Sequence, residues 1–352
     1  MAAFTFETIT PEQAAAYAAA ADSLSFATQG LWAALASVAY QNGADGAPQG
    51  AAVSLNGHTV MFGASVFGDQ DLRFADGSML FIGAATSESM SGTAMGDALF
   101  GGQGNDTLGG GSGNDFLQGN QGGDSLAAAT GDDFAYGGQG DDFIDVGEGL
   151  NFAQGNLGND TVSAAGAAGS NTLLGGQGDD VLTGGAAGDF LNGNLGGDSI
   201  AGGAGDDTLA GEGGADSLSG GEGVDLFVFA AGSSSTSIPG ADFILDFSGE
   251  DRIDVPGFGG QSAYYQIPAS LIGGDPYGYG EGGDPTVSTL PYATALSRAN
   301  SWIRDHPREV IVTAQVAEGV AVFVDTNGDR TADISIILVG RNVFEISGFH
   351  FI

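Results

Sequence analysis

A nine-residue repeat fills the middle of this chain and leaves few folds open to it. From Gly92 to Val228 the sequence divides into fifteen units, fourteen of nine residues and one of eleven. The pattern is G-G-x-G-x-D-x-U-x, where U is a large apolar residue. Clear copies are GGQGNDTLG from Gly101, GGSGNDFLQ from Gly110, GGQGDDFID from Gly137, GGQGDDVLT from Gly175 and GGAGDDTLA from Gly202. The eleven-residue unit, AAGAAGSNTLL, starts at Ala164. A longer period lies over the short one. GGQG recurs at Gly101, Gly137 and Gly175, and a GN-x-G variant at Gly119, Gly155 and Gly193, both at intervals of 36 and then 38 residues. A fixed period of this kind describes a solenoid, in which each unit buries its apolar side only against its neighbours.

The spacing carries chemistry as well as shape. Six loop residues followed by three strand residues make a half-turn, so alternate units stack on the same side, 18 residues apart. Glycine at positions 1, 2 and 4 opens backbone angles closed to other residues and lets carbonyl oxygens converge. Position 6 adds a carboxylate. A flexible cage of carbonyl and carboxylate oxygen suits Ca²⁺ rather than Zn²⁺ or Cu²⁺. Position 8 points inward, and Leu99, Leu108, Leu117, Leu126, Ile144, Val162, Leu173, Leu182, Leu191, Ile200, Leu209, Leu218 and Phe227 are expected to fill a thin core.

These units resemble the repeats of the RTX (repeats-in-toxin) family. The resemblance implies an all-β fold: a right-handed parallel β-roll solenoid of nonapeptide repeats filled with calcium ions, with a small N-terminal α+β region and a β-rich C-terminal cap. The chain then divides into residues 1–91, 92–228 and 229–352. The expected metal ligands are the position-6 carboxylates. One side of the roll carries Asp106, Asp124, Asp142, Asp160, Asp180, Asp198 and Asp216 without a gap. The other carries Asp97, Asp115, Asp133, Asp189, Asp207 and Asp225, with Asn151 and Asn171 in the column between Asp133 and Asp189. The insertion lies on that side too, so calcium is expected to bind more weakly there.

The flanks differ from the repeat. Thr10-Pro11-Glu12-Gln13 has the order of a capped helix start, with the helix expected to run to about Ala21. VSLNGHTVMFG from Val53 and LRFADGSMLFIG from Leu72 are expected to form hairpins, turned at Asn56-Gly57 and Asp76-Gly77. ADFILDF and DRIDV are short alternating segments, and ADFILDFSGEDRIDV is similar to the segment that follows such repeats. Residues 257–291 are expected to be loop. TALSRANSWIRD from Thr294 is a helix, followed by strands in VIVTAQV, VAVFVD, ISIILVG and VFEISGF. VFVDTNGDRTADISIILVG from Val322 resembles the family's terminal strands, and Asp325, Asn327, Asp329 and Asp333 are a second, weaker calcium candidate. The ending ISGFHFI resembles the uncleaved C-terminal signal of type I secretion.

Composition removes other classes. The chain has 44 acidic and 7 basic residues, a formal net charge of -37, and no cysteine. Seven scattered arginines cannot form a nucleic-acid footprint. Without cysteine there are no disulfides and no thiolate metal sites. No apolar run approaches the ~18 residues of a membrane span. MAAFTFETIT lacks the charged and apolar regions of a cleaved export signal.

Catalytic motifs are missing as well. The sequence contains no H-E-x-x-H and no G-x-S-x-G, and His58, His306 and His350 stand singly. Position 7 instead gives an outward aromatic ladder, Phe116, Phe134, Phe152 and Phe190, with Tyr136 and Leu174 beside it. The leading expectation is a secreted, non-enzymatic calcium-binding protein that folds on Ca²⁺ outside the cell. It is expected to form a homo-oligomer or filament, in a surface layer or matrix with other cell-surface components. The alternatives are a secreted hydrolase that uses the roll only for export and folding, and a calcium-dependent adhesin binding glycans through the stretch Tyr264 to Tyr279.

Overall fold

A computed structural model of the chain describes residues 3–5, 9–16, 23–26, 36–44, 47–55, 58–69, 72–230, 241–248, 250–254, 264–266, 292–305, 311–315, 319–324, 332, 334–339 and 350–351. They belong to two compact units, residues 1–177 and 178–352.

In the first unit the repeat forms two parallel sheets. One runs through Leu80–Ile82, Ala98–Gln103, Phe116–Gln121, Phe134–Gln139, Phe152–Leu157 and Thr172–Gln177. The other runs through Ser89–Ser91, Thr107–Ser112, Ser125–Thr130, Phe143–Asp145 and Thr161–Ser163. Consecutive units alternate between the sheets, and pairing is in register at the 18-residue stride: Leu117 faces Leu99 and Ala135, and Leu108 faces Leu126. The insertion lengthens one step to twenty residues, placing Phe152 opposite Thr172. Burial follows the period of two that a strand imposes. Position 8 is inside and positions 7 and 9 face outward. The inward residues Leu99, Leu108, Leu117, Leu126, Ile144, Val162 and Leu173 are fully buried.

Two rungs precede Gly92. Leu80–Ile82 and Ser89–Ser91 pair with the first repeat strands and turn Phe81 and Met90 inward. The expected hairpin at Asp76-Gly77 is therefore only a turn. Phe74 N–H donates to the Ser78 carbonyl and Asp76 accepts from the Ser78 backbone, but the two strands part after one bridge, Arg73 to Met79. Leu72–Phe74 joins a small parallel sheet with Ala3–Thr5 and Ser23–Phe26. Leu80–Ile82 is buried on both faces, with Phe81 turned into the roll and Leu80 and Ile82 packed in the core with the N-terminal strands.

The other hairpin is present: Pro48–Leu55 pairs antiparallel with His58–Gly63, and Ser37–Asn42 adds a third strand. Its Asn56-Gly57 turn lies outside the described residues. The helix spans Pro11–Ala15 with the expected reciprocal cap, Thr10 Oγ1 accepting from Gln13 N–H and Gln13 Oε1 accepting from Thr10 N–H. Val53, Leu55, Val60, Phe62, Leu72 and Phe74 share one core with the roll residues Leu80, Ile82, Ala98 and Phe100.

The second unit has the same two-sheet pattern, with Val181–Thr183, Ser199–Ala204 and Ser217–Glu222 on one side and Phe190–Leu195, Thr208–Gly213 and Leu226–Val228 on the other. It does not stop at Val228. Asp242–Ile244 pairs parallel with the strand of Ser217, and Arg252–Asp254 with that of Leu226. Ile334–Val339 then adds in parallel, followed by antiparallel Gly319–Val324 and Ile311–Gln315. His350–Phe351 pairs with Arg252–Ile253. The helix Tyr292–Asp305 packs against the antiparallel strands with Ala295 and Ala299 buried. The loop expected over residues 257–291 lies outside the described residues, except for the strand Tyr264–Gln266. Asp325, Asn327, Asp329 and Asp333 lie outside them too.

Position 2 sits in the left-handed backbone region. Glycine fills it at Gly102 (φ 105°) and Gly138 (φ 127°), and the GN-x-G units place asparagine there at Asn120 (φ 81°) and Asn156 (φ 84°). Asparagine tolerates that region better than other residues with a Cβ. Ala129 (φ 80°) has no such tolerance. Relief of ~1–2 kcal/mol from the left-handed conformation outweighs the ~0.5–1 kcal/mol entropic cost of a glycine. Ala129→Gly is therefore expected to raise the melting temperature of the calcium-loaded protein, and Gly138→Ala to lower it. The reverse order by calorimetry would contradict the backbone assignment.

Candidate metal centre

The position-6 side chains are almost completely buried: Asp97, Asp106, Asp115, Asp124, Asp133, Asp142, Asp160, Asp180, Asp189, Asp198, Asp207, Asp216 and Asp225 are each no more than 3% exposed. In each unit of the fold they stack at the repeat stride. Within each unit, one carboxylate oxygen accepts the backbone N–H of the position-6 residue one turn earlier. Asp97 N–H donates to Asp115 Oδ1 at 2.7 Å, Asp106 to Asp124 at 2.7 Å, Asp124 to Asp142 at 2.7 Å and Asp142 to Asp160 at 2.8 Å. In the second unit Asp180 donates to Asp198, Asp198 to Asp216 and Asp189 to Asp207, each at 2.8 Å. These bonds lock the loops in register.

The second oxygen has no partner. Oδ2 of Asp106, Asp115, Asp124, Asp133, Asp142, Asp160, Asp180, Asp198, Asp207 and Asp216 is buried and unsatisfied. A buried carboxylate oxygen without a donor or cation is costly. Its immediate neighbour is another acceptor. A methyl group built on Gly119 would strike Asp124 Oδ2 and meet the Gly137 carbonyl oxygen at 2.7 Å. One built on Gly137 would strike Asp142 Oδ2 and meet the Gly155 carbonyl at 2.8 Å. Position 1 is thus glycine because a carboxylate and a carbonyl of the next rung converge on that space. Two oxygens facing one another across a space without a hydrogen between them fit a hard cation. Among the described residues no three acidic or histidine side chains meet at one point, so most of the donors would be backbone carbonyls, as Ca²⁺ accepts.

Electrostatics agrees with the geometry. Burial, reinforced by like charges in the stack, pushes Asp106, Asp142 and Asp207 up to about 7 and Asp115 up to about 8. Asp133, Asp160 and Asp198 are raised to about 6, again mainly by burial. The carboxylates are unstable as bare anions in this fold.

Not every rung is alike. Asp97 Oδ2 accepts from Thr93 N–H, and Asp189 Oδ2 accepts from Gly185 N–H at 2.6 Å, so these two carboxylates are satisfied within their own loops. Asn151 Nδ2 donates to the Gly147 carbonyl at 3.3 Å and Asn171 Nδ2 to the Gly169 carbonyl at 2.7 Å. The amide nitrogen supplies the positive group that the aspartate rungs lack. The same column carries Ala128, Val146 and Ala164 at position 1, all fully buried where other rungs have bare glycine. Position 1 was the sequence signal for this interruption, in addition to the two asparagines.

Sequence reasoning also missed members of the stack. Glu88 N–H donates to Asp106 Oδ1 at 2.7 Å, which places Glu88 at position 6 ahead of the recognisable repeat. Asp242 and Asp251 accept from Asp216 and Asp225, and Asp242 Oδ2 is buried and unsatisfied like the others. Their spacing of 26 residues, instead of 18, hid them. Position 5 has a role as well: Asn105, Asn114, Asp132 and Asp141 accept from the backbone N–H one turn later, at Gly123, Asp132, Leu150 and Asn159.

Two outcomes are expected. A carboxylate whose folded pKa is raised binds more protons folded than unfolded, so stability falls as pH rises from ~4 to ~8. Calcium-free protein is therefore expected to gain β-structure by circular dichroism on acidification through that window. Loss of structure on acidification would contradict the buried stack. Asp142→Asn gives its rung the internal donor that Asn151 has. In millimolar Ca²⁺ it is expected to fold and to carry at least one ion fewer by native mass spectrometry, whereas an unchanged count would remove Asp142 from the site.

The comparisons with known proteins fall on the same stretch. The RTX calcium-binding nonapeptide repeat (4 copies) family model matches residues 82–117, 91–126 and 118–153. The Peptidase M10 serralysin C terminal model matches residues 144–267. The solution structure of the AlgE6R3 subunit from the Azotobacter vinelandii mannuronan C5-epimerase is 26% identical, with 47% of this chain and 72% of that chain covered and a TM-score of 0.28. No curated protein matches the chain. The matched stretch begins at residue 82, inside the first rung ahead of Gly92, and its end at residue 267 takes in the rungs of Asp242 and Asp251. With that repeat, that carboxylate stack and those two family matches, the chain belongs among the RTX proteins, whose nonapeptide repeats bind several calcium ions.

Proposed function

We propose that this chain is an exported calcium-binding structural protein, whose position-6 carboxylates hold Ca²⁺ and whose roll folds outside the cell and self-assembles into a layer, filament or matrix. The observation that carries the reading is the unsatisfied Oδ2 column, which makes the fold conditional on a cation. Extracellular calcium sites typically bind at ~10⁻⁴–10⁻³ M. At tenfold excess over Kd each ion contributes ~1.4 kcal/mol, so about ten ions reach the stability of a whole domain. At cytosolic calcium the chain stays unfolded and suited to export.

Assembly is supported by apolar side chains left outside. Phe134 is 50% exposed, Phe143 48% and Phe190 40%. Part of the aromatic ladder is covered from within: Phe116 packs against the N-terminal core. Bound calcium would offset much of the -37 charge that keeps copies apart. The match to a peptidase's C-terminal region favours a second reading, in which the roll serves a secreted hydrolase. Light scattering of the calcium-loaded protein separates the two. Calcium-dependent growth in mass, suppressed in Phe134→Ser and Phe190→Ser, is expected. A monomer indifferent to both substitutions, with casein hydrolysis in calcium, would favour the hydrolase.

A further inference from the structure

Within residues 1–177 the antiparallel sheet of Ser37–Leu55 stands over the outer face of the roll and leaves a cleft of about 470 Å³. Tyr40, Asn42 and Pro48 form one wall, and the roll strands form the floor. The wall is rigid: Tyr40 stacks on Phe67 at 5.8 Å and 9°, and its hydroxyl donates to the Phe100 carbonyl at 3.4 Å.

Two features of the lining point the same way. No charged side chain lines the cleft, although the chain carries a net -37. The floor is paved with carboxamides in columns. Gln103, Gln121 and Gln139 lie directly opposite one another on adjacent strands, so they repeat at ~4.8 Å along the roll. Gln103 Nε2 donates to Gln121 Oε1 at 3.2 Å, and Gln118 Nε2 to Asn120 Oδ1 at 2.9 Å, which fixes the amides before any ligand arrives. Gly102 and Gly138 alternate with Asn120 and Asn156 at the intervening position, so the floor is grooved. The one aromatic ring in the lining is that of Tyr40 in the wall.

Carboxamides donate and accept equally and prefer a ligand that does both. An apolar ligand would leave them unpaired, and an anion finds no cation here. The roll strands already use their backbone hydrogen bonds, so an added peptide strand has no edge to pair with. Hydroxyl groups for the amides and C–H faces for the ring of Tyr40 are the two surfaces of a sugar ring. We propose that this cleft binds an extended, uncharged glycan lying across the strands, about one sugar ring to each rung. This site is distinct from the calcium stack and from any assembly surface at Phe134.

The test is calorimetric titration of the full chain in saturating Ca²⁺ with cellohexaose, laminarihexaose and mannohexaose, their disaccharides, and a hexamer of galacturonate. At least one neutral hexaose is expected to bind, more tightly than its disaccharide, and the galacturonate hexamer not to. The double variant Gln121→Ala/Gln139→Ala alters exposed side chains and is expected to keep its circular dichroism while losing roughly tenfold or more in affinity, the equivalent of two neutral hydrogen bonds. Binding of no neutral hexaose, preference for the charged one, or full affinity in a folded double variant would each overturn the proposal.

Discussion

A carboxylate buried behind a backbone amide, with its second oxygen turned towards a neighbouring carbonyl, is the contact on which this molecule depends. The first oxygen does local work, joining Asp106 to Asp124 and Asp124 to Asp142 at 2.7 Å and fixing the stride between turns. The second is a liability until something positive lies beside it. Burial raises these groups well above the ordinary carboxylate range, to about 7 and 8 at Asp142 and Asp115. Each such group lowers the stability of the fold at neutral pH unless a proton or a cation meets it. The apolar interior is a single file of side chains such as Leu117 and Leu126, one for each half-turn. The cation requirement is therefore built into the same residues that set the register.

The exceptions show a different solution to the same burial on one side of the roll. Asn151 and Asn171 close their own loops through Nδ2, and Val146 fills the space that a bare glycine leaves elsewhere. Ala135 and Ala153, the small inward residues at position 8 of this stretch, keep the interior from overfilling. Hydrocarbon stands at position 1 over three consecutive turns of one column, through Ala128, Val146 and Ala164, and at two of them, Asn151 and Asn171, an amide hydrogen bond takes the place of the unsatisfied oxygen. The other column, through Asp124, Asp142 and Asp160, has no such substitution.

Most of this was legible in the sequence because the repeat is strict. Position 8 stated the core and position 6 the carboxylate stack. The alternation of units predicted pairs such as Leu108 with Leu126. What escaped had lost the local signature while keeping the geometry. Leu80–Ile82 reads as half of a hairpin, since nothing in its neighbours announces a rung, yet its apolar side completes the first turn. Asp242 is displaced in sequence by a longer connection and is nevertheless the next carboxylate after Asp216. The cover over Phe116 and the carboxamide cleft depend on how the N-terminal strands lie on the roll, a long-range arrangement that no local pattern encodes.

Amide hydrogen exchange, read peptide by peptide with and without calcium, tests the dependence of the fold on its buried carboxylates most directly. The N–H groups of Asp97, Asp106, Asp124 and Asp142 donate to those carboxylates and report on them one by one. The expected result is strong protection of the roll strands from Leu80–Ile82 to Leu226–Val228, and of Asp242–Ile244 and Arg252–Asp254, in millimolar Ca²⁺ and loss of that protection in chelator at neutral pH. Protection of the same amides in chelator, equal to that with calcium, would contradict it.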